Sequence, residues 1–174
     1  MTEAAHFVVG AAICRYVRSK PLALALAFAS HFALDAIPHF EHPRLIGMKS
    51  WIPVAAVGWL LALSAGLAIW LRFRPSQGSA GGYHLYLIAG GFLGGLVDQL
   101  MFWSGRGGPL GVIWEANRQA HWWEARYRSL TQDPQIGPPA AVAACVVEIG
   151  LAALATWLLF RARAGGVSGA RDEE

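Results

Sequence analysis

Charge is scarce in this chain. Only 14% of its 174 residues are Asp, Glu, Lys or Arg, while 55% are hydrophobic, and the mean hydropathy is +0.40. Ordinary soluble chains run at about 25% charged and about 45–50% apolar, so the composition argues against a soluble domain and for a lipid-embedded one. The net charge of +3 comes from scattered arginines. No basic tract with interleaved aromatics is present, which argues against nucleic acid as a partner. Cysteine is nearly absent as well: Cys14 and Cys145 each sit in an apolar run with no CxxC spacing. That excludes a thiolate metal cluster and leaves two small hydrophobes. The opening residues carry Glu3 and no basic n-region, so no secretory signal peptide is expected. No solenoid repeat is visible.

The chain does contain long apolar runs and eight tryptophans. Ala4–Val17 and Leu22–Ile37 are short for full crossings and are expected to pair as a helical hairpin, with Pro21 opening the second helix. Trp51–Leu71, Tyr83–Trp103 and Pro138–Phe160 have the length that spans about 30 Å of hydrocarbon. Gly90, Gly91, Gly94 and Gly95 mark the fourth segment as one that approaches a neighbour closely. Between the fourth and fifth segments, Leu110–Leu130 has a stripe of Ile113, Ala116, Ala120, Trp123, Tyr127 and Leu130. Charged residues lie elsewhere around its wheel, which predicts an amphipathic helix in the headgroup region. The expected fold is all-α: a polytopic membrane bundle of about five apolar segments plus one interfacial amphipathic helix, over residues 1–163. A disordered, glycine-rich tail is expected over 164–174.

Polar residues interrupt this pattern at one place above all. Ser30–His39 reads SHFALDAIPH, with His31, Asp35 and His39 spaced four residues apart at the end of an apolar run. Residues four apart stack on one helix face about 5.4 Å from each other. His31 and Asp35 can therefore face one ion, and Pro38 stops the helix and redirects His39. Buried among Phe, Ala, Leu and Ile, such groups are costly unless they pair or bind something.

If all five segments cross, His6 at the start of the first, His39 at the end of the second and Asp98 near the end of the fourth emerge on one membrane side. His121, on the amphipathic helix, joins them. The candidate metal ligands are thus His6, His31, Asp35, His39 and His121. Asp98 and Glu148 are the candidate catalytic carboxylates, Glu148 as a base, a proton relay, a metal ligand or a group behind the ligands. Each also has a plainer reading. His6 can cap a helix, His31 and Asp35 can be a buried structural pair, and His121 can be interfacial. His42 beside Glu41 is expected in solvent, Glu124 pairs with Arg128 on an exposed face, and His84 falls on the opposite side. Mixed imidazole and carboxylate without thiolate suits Zn²⁺ or another divalent transition metal. More than four candidates leaves room for two ions, an arrangement that favours phosphoester chemistry.

His6-Phe7-Val8-Val9-Gly10-Ala11-Ala12, followed by His31, Asp35, Pro38 and His39, resembles the small bacterial inner-membrane proteins described as membrane-bound metal-dependent hydrolases. The HxxxDxxPH element is also similar to one in soluble zinc-dependent phospholipase C-like proteins. The resemblance covers the first 40 residues or so and implies a multi-span helical hydrolase with a bound metal. Where that family carries a denser Pro-Asp-x-Asp-His element, this chain has the single carboxylate of Asp98.

Three function classes follow. The first is a membrane-embedded hydrolase of a lipid or lipid-linked phosphoester or ester, with membrane lipids as partners. The second is a non-enzymatic membrane protein whose His/Asp cluster is structural. The third, a proton or haem carrier, is ranked last, because its histidines would face each other within the bilayer. Arg15, Arg18, Lys20, Arg72, Arg74, Arg161 and Arg163 gather at the segment ends opposite the candidate site. Basic residues near segment ends favour the cytoplasm. The site-side stretches also hold Arg44, Lys49, Arg106, Arg118, Arg126 and Arg128, so the margin between the two faces is thin. On that margin the site is expected to face away from the cytoplasm, and a reporter fused after Glu174 should read out as cytoplasmic. An external C-terminus would reverse the assignment.

Overall fold

The structure, a computed structural model, describes residues 2–39, 52–73, 82–104, 110–123 and 137–161. Six helices make up these residues: α1 (Glu3–Tyr16), α2 (Lys20–Asp35), α3 (Ile52–Phe73), α4 (Tyr83–Ser104), α5 (Gly111–Ala120) and α6 (Gly137–Phe160). No strand occurs among the described residues. The expected disordered tail, Glu41 and His42, and the Glu124–Arg128 pair lie outside them.

Local chemistry sets the helix limits. Val17 leaves helical geometry with its N–H still bonded to Ile13 O at 2.9 Å, and Pro21 then sits in the first turn of α2, where its missing N–H costs nothing. α2 ends at Asp35. Ala36 and Ile37 close its last turn on Phe32 O and Leu34 O, both at 3.0 Å, and Pro38 prevents another turn.

α1 is the central helix, packed against α2, α3, α4 and α6. Its residues are small enough to be covered on several sides: Ala5, Gly10, Ala11, Ala12 and Cys14 are all buried. The tightest contact is with α4, where the two backbones touch. A Cβ on Gly94 would strike the His6 carbonyl oxygen, one on Gly10 would strike Gly90 O, and one on Gly90 would strike Cys14 Sγ. Only glycine permits this approach. α1 is also fastened to α6 at both ends. Glu148 accepts the Thr2 N–H at 2.6 Å, satisfying one of the orphan donors at the start of α1. At the far end the buried Arg15 guanidinium donates to Leu159 O and to Arg161 O, and Tyr16 Oη donates to Leu158 O at 2.7 Å. These bonds occupy the free carbonyls in the last turn of α6.

Two helices are long and apolar enough to cross a membrane, α3 over Ala55–Phe73 and α6 over Val142–Phe160. Most of their surface is uncovered, with Leu60 64% and Ile149 68% exposed. Large apolar surfaces of this kind need something other than water against them. Length and hydropathy therefore mark two spans rather than the five expected. α1 and α2, with 14 and 16 residues, are shorter than the roughly 20 that cross unaided.

The amphipathic helix is also shorter than the sequence pattern suggests. α5 ends at Ala120, and His121 closes it by bonding both its backbone N–H and its ring Nδ1 to Asn117 O, at 3.2 and 2.8 Å. Residues 121–123 turn away, and Tyr127 and Leu130 lie outside the described residues. Val112 on α5 and Trp122 in the turn after it stay exposed.

The α1–α4 contact makes a sharp prediction. Gly94→Ala should destabilise the protein by about 1–3 kcal/mol, since its methyl meets rigid backbone. Gly95→Ala, whose Cβ meets nothing within 4 Å, should leave stability unchanged. Thermal melting of the two purified variants in detergent checks the contrast.

Candidate metal centre

Four elements bring imidazoles to one carboxylate. Asp35, at the last turn of α2, is fully buried. Its Oδ1 lies 3.1 Å from His6 Nε2 on α1 and 3.8 Å from His39 Nε2, beyond Pro38. Its Oδ2 lies 3.0 Å from His31 Nε2, one turn earlier on α2, and 3.7 Å from His121 Nε2 at the end of α5. Asp98 enters from α4, with Oδ1 3.5 Å from His31 Nε2. The His6 and His31 rings stack at 4.1 Å.

The backbone decides which nitrogen each ring offers. A carbonyl oxygen can only accept, so the ring nitrogen facing it must carry the proton. His31 Nδ1 donates to Gly94 O at 2.9 Å, His39 Nδ1 to Ile37 O at 2.7 Å, and His121 Nδ1 to Asn117 O at 2.8 Å. In the neutral state all three then turn the Nε2 lone pair toward Asp35. This outer shell of carbonyls is how proteins orient metal-ligating histidines. Trp123 adds a further support. It is buried against the His39 ring at 5.0 Å and donates its indole N–H to Asp35 O at 2.8 Å.

Proton placement tests whether an ion belongs here. Among the described residues, the carboxylates in direct contact with these rings are Asp35 and Asp98. When neutral, His31, His39 and His121 turn lone pairs toward carboxylate oxygens, because their Nδ1 protons are taken by carbonyls, and His6 Nδ1 is buried with no hydrogen-bond partner. A cation between the lone pairs relieves that juxtaposition. The residues form two groups able to hold one: His6, His31 and Asp98, and Asp35, His39 and His121. Within each, the ligand atoms lie within 4.8 Å of one another. Within the groups His31 and Asp98 lie 3.5 Å apart, and Asp35 lies 3.7 Å from His121 and 3.8 Å from His39, somewhat wider than the roughly 3.3 Å between tetrahedral ligands held about 2.0–2.1 Å from an ion. The donor set therefore fits a divalent metal.

The pocket has a closed side and an open one. His6, His31, Asp35 and His39 are fully buried, while the Asp98 side chain is 30% and that of His121 12% exposed. Access is thus past α4 and α5. On the outer face of α5, Arg118 bonds Glu115 twice, at 2.8 and 2.5 Å, and together with Gln119 holds that carboxyl down to about 2.

The sequence-derived candidates divide on these coordinates. His6, His31, Asp35, His39, Asp98 and His121 meet in one place. Glu148 belongs to neither metal-holding group; it bonds the backbone at the start of α1, four residues before His6. His84 sits at the other end of α4 against Trp70, with ring centroids 4.5 Å apart. Sequence reasoning missed Gly94, Ile37 and Asn117, whose carbonyls orient rings, because any residue type can supply a carbonyl. Trp123 left a usable signal: a tryptophan on an apolar stripe needs an acceptor for its N–H.

Compared with known proteins, the chain matches no family model, no curated protein and no solved structure.

Elemental analysis of protein purified without added metal should find a divalent transition metal. Asp35→Ala should lower the metal content, because Asp35 is the carboxylate of one group and lies beside the imidazoles of the other. His6→Ala and His121→Ala, one from each group, should each lower the content. A metal-free wild type with full thermal stability would contradict the assignment.

Proposed function

We propose that this protein is a metal-dependent hydrolase of the membrane, cleaving a phosphoester or ester of a lipid at headgroup level. The observation that carries this reading is the pair of His/Asp groups around Asp35, partly open at Asp98 and His121. Two apolar helices with uncovered surfaces support a membrane location. In this reading α1, α2 and α4 are embedded beside α3 and α6 in a polytopic bundle, and α5 rests at the interface. The resemblance of His6–Ala12 and HxxxDxxPH to membrane-bound metal-dependent hydrolases points the same way and suggests a bacterial inner membrane.

Imidazole and carboxylate donors without thiolate favour Zn²⁺. When bound, such an ion supplies Lewis acidity and makes water a nucleophile at neutral pH. The chain's own residues supply the rest. His6, His31, His39, Asp35 and His121 would hold the ion, with the rings of His31, His39 and His121 oriented by their carbonyl partners. Asp98, at the partly exposed mouth, is placed to take a proton from an entering water. Glu148 acts as a positioning residue: by holding Thr2 it sets the start of α1 and so the place of His6. Two divalent ions with two carboxylates leave a net positive pocket, which favours an anionic group such as phosphate over a neutral ester.

The test uses vesicles of phosphatidylglycerol and phosphatidylethanolamine, with release of water-soluble phosphate as the readout. Wild type should be active and Asp98→Asn should lower turnover by about 10²–10⁴-fold. Glu148→Gln should keep its metal and melt lower. A metal-loaded wild type that releases nothing, with Asp35→Ala affecting only the melting temperature, would favour the structural-cluster reading instead.

A further inference from the structure

A second feature lies on the flank of the bundle, where α1 and α6 part around a groove of about 450 Å³. Its wall is apolar from Val9 and Leu34 at one end, past Ala12, Leu151 and Ala155. Polarity appears only at the other end, where Tyr16 and Arg161 close it. That end is opposite the metal centre, since His6 begins α1 and Tyr16 finishes it.

The polar end is built to leave one cation available. Tyr16 Oη donates to Leu158 O and accepts from Arg161 Nε at 2.9 Å, so the phenol is fully used. The Arg161 guanidinium lies over the Tyr16 and Trp157 rings, 5.4 and 4.9 Å from their centroids. Its backbone oxygen is taken by Arg15. No carboxylate among the described residues pairs with Arg161, so its terminal nitrogens remain for an outside anion. The groove's length also matches one kind of occupant. Val9 to Tyr16 is seven residues of helix, about 10 Å, which fits inside one leaflet, half of a hydrocarbon core about 30 Å thick.

We propose that this groove binds one acyl chain of an anionic glycerophospholipid whose phosphate is held by Arg161, at the membrane face opposite the metal centre. The site is separate from the hydrolase reading and does not depend on it. Charge complementarity selects the headgroup, and the apolar wall takes the chain without distinguishing one chain from another. Such a lipid would fill the gap that α1 and α6 leave between their two fastened ends.

Native mass spectrometry of the full chain, released from micelles holding equal phosphatidylglycerol and phosphatidylcholine, tests the proposal. Wild type should retain phosphatidylglycerol about fivefold over phosphatidylcholine, the effect of one arginine at an anionic surface. Arg161→Gln should equalise the two lipids, and Arg161→Lys should keep most of the preference. Ala155→Phe, which fills the groove without touching the cation, should lower retention of phosphatidylglycerol itself. Equal retention by wild type would overturn the proposal, as would an undiminished preference in Arg161→Gln. Unchanged retention in Ala155→Phe would overturn the groove as the binding place even if Arg161→Gln failed to fold. None of these readouts depends on metal content or turnover.

Discussion

A carboxylate sealed from water must be met by donors or cations, and Asp35 is the residue on which this molecule spends that requirement. α1, the end of α2, the turn after Pro38 and the end of α5 each bring a histidine to it, and Trp123 bonds its backbone. Segments otherwise joined by apolar contacts, which are indifferent to small slides, thereby acquire one register. A slip of α2 by one residue would turn Asp35 about 100° away and leave it in hydrocarbon. The polar cluster thus specifies the arrangement that the greasy surfaces merely permit.

The glycine contact between α1 and α4 serves the same end from the other direction. His31 reaches Gly94 O only because α4 lies against α1 with no side chain between. The glycine that lets the backbones touch also offers the carbonyl that fixes a ring nitrogen. Packing and ligand orientation are here one event. A methyl at position 94 would disturb both, and a change in metal affinity there need not mean that a ligand was lost. At the other end of α1, Arg15 and Tyr16 tie the helix to α6, so that α1 is held at two points and its His6 end cannot swing.

Much of this was legible in the sequence because it rests on short-range periodicity. HxxxD on a helix puts two groups on one face whatever the fold, and a proline three residues on stops that helix. Apolar run lengths located α1, α2, α3, α4 and α6 within a few residues. Counting crossings placed His6, His39, Asp98 and His121 at one end, and that inference needs only alternation, not distances. What escaped depends on tertiary placement. Glu148 looked like a proton-handling group by its depth in an apolar span, but the chain start it meets is 146 residues away. The stripe from Ile113 to Leu130 is compatible with a continuous helix. A histidine that bonds back to Asn117 and is needed at Asp35 ends it at Ala120, a tertiary demand overriding a local period. The count of five crossings rests on alternation, whereas length and hydropathy single out α3 and α6; α1 and α2, with 14 and 16 residues, are shorter than an unaided crossing.

The two ends of the bundle differ in what they ask of an anion. At the basic end a single guanidinium, braced by two aromatic rings, stands beside an apolar groove; it can hold a phosphate but has nothing to act on it with. At the other end the positive charge would come from ions among His6, His31, Asp35, His39 and His121, next to the partly exposed carboxylate of Asp98. The same phosphate there would meet groups able to orient water and accept its proton. On the proposed reading, the difference between holding a lipid and cleaving one would be carried by lone pairs aimed inward at Asp35, and those lone pairs are aimed by three backbone carbonyls. What the end of the bundle around Asp35 could do would then depend less on which residues are ionisable than on which of their nitrogens the helices leave unprotonated.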